Sequence, residues 1–416
     1  MHRRMTTAAI AVALTGVLAL SACGSKSTDE AGTASGTQAS GMQTSGGNSS
    51  GLTIGKLAQI NTSGEEVPVV AESDAVDPAG DGKAKCPDTK IAMAGALTGA
   101  DSALGKNIEY GAELAVAQHN AANPGCKITL ETFDTEGDPQ KATQVAPRIV
   151  SDQSIVGLIG PAFSGETKAT GSVFNQAGLV SVTASATNPT LTDNGWKTFF
   201  RGLANDDVQG PAVAKYLTGK MGKKKVCVIK DDTEYGAGLA KAVTKTLGSA
   251  NDADCNADVK KGERDFSAVI TKINQASPDA VFYAGYYSEA APLAQQLHSA
   301  APNVTFVSGD GANDPNFISL AGNSAKGAIL SCPCGPAPDK FKADYTAKFN
   351  QAPGVYSVEA YDIATILMKG IAEGKRTRAD LVNYVKTYSG NGLARKYQWT
   401  PKGELTSSNI WVYEVK

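Results

Sequence analysis

The sequence predicts an α/β protein of two lobes, each a parallel sheet flanked by helices, on three observations. From residue 86 onward, short apolar runs alternate with longer helical ones, the order that lays parallel strands under covering helices. The 86–416 segment is longer than one such sheet needs, and near 199–207 one strand–helix series ends and another begins. Hydroxyl, aromatic and acidic residues gather just after the strand ends, where open parallel sheets bind ligands.

The expected strands are 91–97, 128–133, 155–159, 179–183, 226–229, 280–283, 304–307 and 328–331. Between them the pattern predicts helices over 108–120, 139–151, 166–176, 209–220, 239–247, 266–275 and 289–299. After Cys334 the chain reads as largely helical, over 339–349, 358–372 and 379–387. No repeat of solenoid period is present.

The N-terminus is an export signal by its layout. His2-Arg3-Arg4 is basic, and 8–20 is apolar but too short to span a bilayer as a helix. It ends in Leu20-Ser21-Ala22-Cys23, which resembles a bacterial lipobox. That resemblance implies cleavage after residue 22 and lipidation of Cys23, whose two added chains would hold the protein on a membrane. Residues 24–50 are nearly all Ser, Gly, Thr, Ala and Gln, a flexible tether by composition. The 51–85 stretch is mixed, with 52–60 a possible short structured piece and 65–85 again linker-like. The whole of 23–85 is therefore expected to be lipidated Cys and tether.

Composition excludes several functions. Net charge is −2, which gives no reason to expect nucleic acid as a partner. Three histidines (His2, His119 and His298) are too few for a His-based metal or catalytic centre, so no metal and no cofactor is expected. A nucleophile elbow needs glycine two residues before and two residues after its serine, yet Ser164 has Ala162 and Glu166 at those positions. The Gly99 to Lys106 stretch has one residue too many for a phosphate loop, and Asn107 stands where Ser or Thr belongs. With Cys23 set aside, Cys86, Cys126, Cys227, Cys255, Cys332 and Cys334 remain. An even number in an exported chain suggests disulfides, with fifteen pairings open.

The strand-end segments carry the candidate ligand groups. Gly160-Pro161-Ala162-Phe163-Ser164 follows one strand and Ala184-Ser185-Ala186-Thr187-Asn188-Pro189 the next. In the second half come Asp231 to Gly236, Gly285-Tyr286-Tyr287 and Gly309-Asp310-Gly311. Ser164 precedes a helix, as an N-cap or as a donor to an anion at that helix's N-terminus. Thr187 either shapes a turn or donates to the same anion. Asp310 is either a turn residue or, buried, the partner of an ammonium group. The tyrosines Tyr235, Tyr286 and Tyr287 read equally as packing or as ligand walls, and His119 and His298 as structural or solvent-facing.

Blocks in the same order make the chain resemble the bacterial leucine/isoleucine/valine-binding proteins, amino-acid receptors of ABC importers. They are Ala186-Thr187-Asn188-Pro189, Asp232 to Ala240, Gly262 to Ala268, and Gly285-Tyr286-Tyr287-Ser288-Glu289, within a likeness running from about Ile91 to the C-terminus. The resemblance implies the type I periplasmic-binding clamshell: two lobes, each a parallel sheet flanked by helices, joined by crossover hinge segments. Lobe one would be 86–206 with 335–390, and lobe two 207–334 with 391–416. The implied disulfides are Cys86–Cys126 and Cys227–Cys255, leaving Cys332 and Cys334 over.

The same resemblance assigns ligand contacts. Ser164 and Thr187 would hold a carboxylate, Thr187 and the Ser185 carbonyl an ammonium, and Asp310 would be the ammonium's acid. Tyr235 and Tyr286 or Tyr287 would close from lobe two. The sequence departs from the family at Leu104, where an aromatic is common, at Ala162 and Phe163, and at Asp310, which is shorter than the usual Glu. The implied partners are an amino acid, a membrane permease and, through lipid, the outer face of the cytoplasmic membrane; the implied receptor is a monomer without catalysis. The alternatives are the same fold serving an amide, a urea-like compound or an aromatic acid, and a sensor or structural surface lipoprotein.

Overall fold

The fold is that of a computed structural model describing residues 51–69 and 74–416. The expected signal peptide, Cys23 and the 24–50 tether lie outside those residues. The described chain opens with β1 (Ile54–Ile60). It then builds β2 (Thr89–Gly95), α1 (Ser102–Ala122), β3 (Ile128–Asp134), α2 (Pro139–Ser151), β4 (Ile155–Ile159), α3 (Ser164–Gln176), β5 (Val180–Thr183) and β6 (Phe199–Arg201). The strands β2 to β6 form a parallel five-stranded sheet in the order β3-β2-β4-β5-β6.

The chain crosses next into α4 (Asp206–Lys215), β7 (Val226–Lys230), α5 (Glu234–Leu247), β8 (Ala257–Asp258), α6 (Ser267–Ala276), β9 (Ala280–Ala284), α7 (Tyr287–Ala300), β10 (Thr305–Ser308), α8 (Pro315–Ala321) and β11 (Ile329–Cys332). It returns as α9 (Asp339–Phe349), α10 (Ser357–Ala372) and α11 (Arg378–Thr387), then β12 (Ser389–Asn391), β13 (Lys396–Gln398) and β14 (Ile410–Val415). The second sheet has the order β1-β14-β11-β10-β9-β7-β8, parallel from β11 to β8, with β14 and β1 antiparallel at one edge.

The returning helices belong with the first sheet: α10 packs along α1, and α10 and α11 pack on β4. Fully buried strands such as β4 and β9 are unbroken apolar runs, as expected of strands covered on both faces. Two lobes joined by three crossovers result. The third lies further along than expected. Trp399 Nε1 donates to the Arg201 carbonyl at 2.7 Å, and Arg201 N donates to the Gly403 carbonyl at 2.8 Å. Residues 399–403 therefore rest on β6 of lobe one, and the chain joins the second sheet only at β14.

The described segments 51–69 and 74–85 do not behave as a tether. Its strand β1 adds to β14 from Ile54↔Val415 to Ile60↔Ile410, with an irregularity between Lys56 and Ala58 that leaves Leu57 exposed. Backbone pairing with a strand far away in sequence supplies the order that the local composition lacks. Residues 76–85 are fastened to lobe one as well. Asn123 Nδ2 donates to the Ala79 carbonyl at 2.9 Å, Ala84 N donates to Asn123 Oδ1 at 3.0 Å, and buried His119 sets its ring nitrogens 3.0 Å from the Pro78 and Cys126 carbonyls. In the structure Cys86 is bonded to Cys126 and Cys227 to Cys255. Cys332 is bonded to Cys334, two residues on, so the pair left over by the sequence reading closes on itself where β11 leads into the second crossover.

Candidate functional site

The strand-end residues of the two lobes meet in a closed cleft. Ser164 is buried at the first turn of α3, and its Oγ accepts from Asn188 N at 3.2 Å. It does not cap the helix: Glu166 Oε2 reaches back to accept from Phe163 N at 3.0 Å, the reciprocal half of a capping box. Ser185 Oγ donates to the Ala162 carbonyl, tying the two lobe-one segments together. Thr187 is fully buried and its hydroxyl has no hydrogen-bond partner, a costly state for a polar group.

From lobe two, Tyr235 in the first turn of α5 donates its hydroxyl to Asp310 Oδ1 at 2.7 Å and accepts from Gly311 N at 3.1 Å. The glycines around Asp310 are required by this approach. A Cβ at Gly309 would lie 2.6 Å from the Tyr235 hydroxyl, and one at Gly311 would lie 2.9 Å from the Tyr235 ring. The Tyr286 ring sits 5.1 Å from Tyr235 and 4.9 Å from Phe163 of lobe one, so three rings bridge the cleft. Leu104, in the first turn of α1, is fully buried in the apolar cluster that also holds these rings. Tyr287 faces the opposite lobe, donating to the Ala100 carbonyl at 2.8 Å.

Three further residues take part, and two of them, Tyr356 and Asp206, are not among the sequence-predicted candidates. Tyr356 precedes α10 in a left-handed conformation (φ 69°) and donates to Asp310 Oδ2 at 2.6 Å, so both oxygens of that acid accept from tyrosines of opposite lobes. Asn188 Nδ2 donates across the cleft to the Glu234 carbonyl at 2.6 Å. Asp206, at the first crossover, is fully buried with neither carboxylate oxygen hydrogen-bonded. Asn188 lies in the segment after β5 that the strand-end rule singles out, whereas Tyr356 and Asp206 lie outside the strand-end segments; an aromatic directly before an apolar helix is the one available signal, at Tyr356.

Electrostatically the cleft is a buried acidic place. Burial pushes Asp310 up, offset in part by the Tyr356 and Tyr235 hydroxyls. Burial pushes Asp206 further up; the nearby Thr187 hydroxyl counters this and the Asp310 charge adds to it. A cation placed between these acids would be strongly favoured. The lobes also meet through Asn107 Nδ2, which donates to Asp314 Oδ2 at 3.1 Å, and through Lys168–Glu234 at 2.6 Å. A surface cavity of about 580 Å³ lies elsewhere, between Met221–Lys223 and Ala300–Val304.

Glu166 carries a pH signature. Burial lifts its carboxyl to about 7, against the Thr135 hydroxyl and the Phe163 N–H. A raised carboxyl is held protonated by the folded state, so its contribution is complete below the ordinary range near 4.5 and is lost as pH rises through about 7. Asp362 (about 7) and Asp231 (about 6), also lifted by burial, act in the same direction. Thermal unfolding of Glu166→Gln, which keeps both hydrogen bonds without a charge, is expected to fall less than wild type between pH 5 and pH 8. Equal slopes would show that Glu166 does not carry the effect.

Residues 88–416 match a family model described as periplasmic binding protein. The Leu/Ile/Val-binding protein BraC3 of Rhizobium johnstonii is 31% identical over 338 residues, covering 79% of this chain and 91% of that one. The Leu/Ile/Val-binding protein of Citrobacter freundii is 29% identical over 334 residues, covering 79% and 90%. The branched-chain amino acid transporter substrate binding protein LivJ of Streptococcus pneumoniae, solved with isoleucine, has a TM-score of 0.74 at 25% identity, over 79% of this chain and 99% of that one. The chain belongs to the periplasmic binding protein family.

Proposed function

We propose that the chain is the extracytoplasmic receptor of an ABC importer, closing on a branched-chain or other aliphatic amino acid and handing it to a membrane permease. The observation that carries this is Asp310, a fully buried acid of lobe two whose two oxygens accept from Tyr235 and from Tyr356; in this reading it faces the Ser164 and Thr187 hydroxyls of lobe one. An acid facing hydroxyls at a helix N-terminus suits a zwitterion. The ligand docks first on lobe one. Its carboxylate lies against Ser164 and Thr187, and its ammonium against Thr187 and the Ser185 carbonyl. Closure then brings Asp310 to the ammonium, while Phe163, Leu104, Tyr235 and Tyr286 wall the side chain. Asp310 exchanges a tyrosine hydroxyl for the ammonium, so closure costs no unpaired acid. The names of the relatives in Rhizobium johnstonii and Citrobacter freundii support the ligand class.

Residues 1–22 act as the signal peptide in this reading, and Cys23 carries the lipid that keeps a monomeric receptor beside its permease. A thermal-shift screen of the purified chain against the twenty amino acids, small amides and aromatic acids tests the ligand. At about 100 times its dissociation constant a ligand adds ~2.7 kcal/mol of stability. A shift with leucine, isoleucine or valine is expected. A shift confined to amides or aromatic acids would overturn the zwitterion reading while keeping the clamshell.

A further inference from the structure

A charge cluster, its two acids buried and its lysine side chain 35% exposed, spans the cleft beside Tyr286. Lys261, just past β8, sets Nζ 2.9 Å from Glu289 Oε2 of its own lobe and is also paired with Asp101 of lobe one. The same ammonium lies 4.6 Å from the centroid of the Tyr286 ring, within the range of a cation–π contact. The cluster is built rather than incidental. Lys261 N donates to Asp232 Oδ1 at 2.8 Å, Gly262 N donates to Glu289 Oε1 at 2.9 Å, and Ser288 Oγ donates to Asp101 Oδ1 at 2.7 Å. Glu289 is fully buried and Asp101 nearly so.

The geometry points to Lys261 as a positioning residue that holds Tyr286 in the binding wall and latches the lobes through Asp101, so that it sets how long a bound ligand stays. This rests on the reading of the cleft as an amino-acid site. Lys261 and Glu289 share a lobe and stay paired when the cleft opens. Asp101 comes from the other lobe, so its bond to Lys261 exists only in the closed state. An interaction made only on closure leaves docking on the open lobe untouched and slows reopening.

Stopped-flow tyrosine and tryptophan fluorescence with L-leucine separates the two rates. Asp101→Asn, which keeps the Lys261–Glu289 pair, and Lys261→Met are each expected to raise koff by roughly 10- to 100-fold with kon within about threefold. Lys261→Arg should restore much of the loss, and the double variant should be no worse than the worse single one. Unchanged koff in the folded Asp101→Asn variant, or additive effects in the double variant, would overturn the latch. Small-angle scattering of each chain separates this from failure of the ligand reading. If wild type binds no amino acid, a larger radius of gyration in Asp101→Asn than in wild type still supports the latch, and equal radii refute it.

Discussion

Asp310→Ala is expected to weaken amino-acid binding by about 30- to 5,000-fold while the ligand-free chain still unfolds cooperatively. In the closed cleft this carboxylate accepts from Tyr235 at 2.7 Å and from Tyr356 at 2.6 Å, and it is fully buried. Removing it orphans two tyrosine hydroxyls, which costs stability, and also removes a carboxyl that burial already disfavours in its charged form. These changes oppose each other, so the fold should tolerate the variant. Binding has no such offset, because a ligand ammonium loses its acid inside a dry site. Truncating one side of a buried charge pair costs ~2–5 kcal/mol, or about 30- to 5,000-fold in affinity. Asp310→Asn should lose nearly as much, since the amide keeps the volume without the charge, and Asp310→Glu should retain most of the affinity. Calorimetric titration with L-leucine reads all three. Full affinity in a folded Asp310→Ala chain would strip Asp310 of its role and point to Asp206, a second buried acid at the cleft, as the ammonium's partner.

The sequence made the sheet strands and the strand-end residues legible for one physical reason. Parallel strands covered on both faces must be unbroken apolar runs, so 155–159 and 280–283 stand out, and the residues just beyond their ends can be read directly. Ser164, Ser185, Thr187, Tyr235, Tyr286 and Asp310 were picked out in that way, and the structure brings both lobes' segments together. The features that escaped depend on long-range pairing. The 52–60 piece is legible as structured, but not its partner: β1, with Lys56 and Gln59 in it, is ordered by β14 at the opposite end of the chain. Asp101 meets Lys261 across a sequence separation of 160 residues, and Asp206 and Tyr356 sit at segments whose place in the cleft is set by the crossovers. Local pattern cannot report a neighbour supplied by chain return.

Arg201→Met is expected to be among the most destabilising single changes in the chain and to weaken ligand binding with it. Arg201 ends β6, is fully buried, and spends its guanidinium on two tasks. Its Nε lies 3.0 Å from Glu404 Oε2 and its Nη2 3.0 Å from Glu404 Oε1, fixing the turn after β13 to lobe one. Its Nη2 also donates to the Asn188 carbonyl at 3.0 Å, and Nη1 donates to the Ala186 carbonyl. Those two carbonyls flank Thr187, so one side chain sets the height at which the site's hydroxyl is presented. Breaking a buried pair from one side costs ~3–5 kcal/mol. Removing Glu404 as well, in Arg201→Met/Glu404→Leu, should recover part of the stability but none of the binding, because the Ala186 and Asn188 carbonyls stay unheld. The pH dependence separates the two roles. Burial alone would lift the Glu404 carboxyl, but the Arg201 charge, together with the hydrogen bonds of Arg201, Thr192 and Asn205, outweighs it and holds Glu404 below the usual range. Its contribution is therefore present at neutral pH and lost only as pH falls through that lowered value. In Arg201→Met the uncompensated acid reverses the sign, so acidification should stabilise the variant where it destabilises wild type. If denaturant unfolding instead shows the same acid limb in both chains, Glu404 is not anchored by Arg201, and the turn carrying Thr187 is held by its own hydrogen bonds.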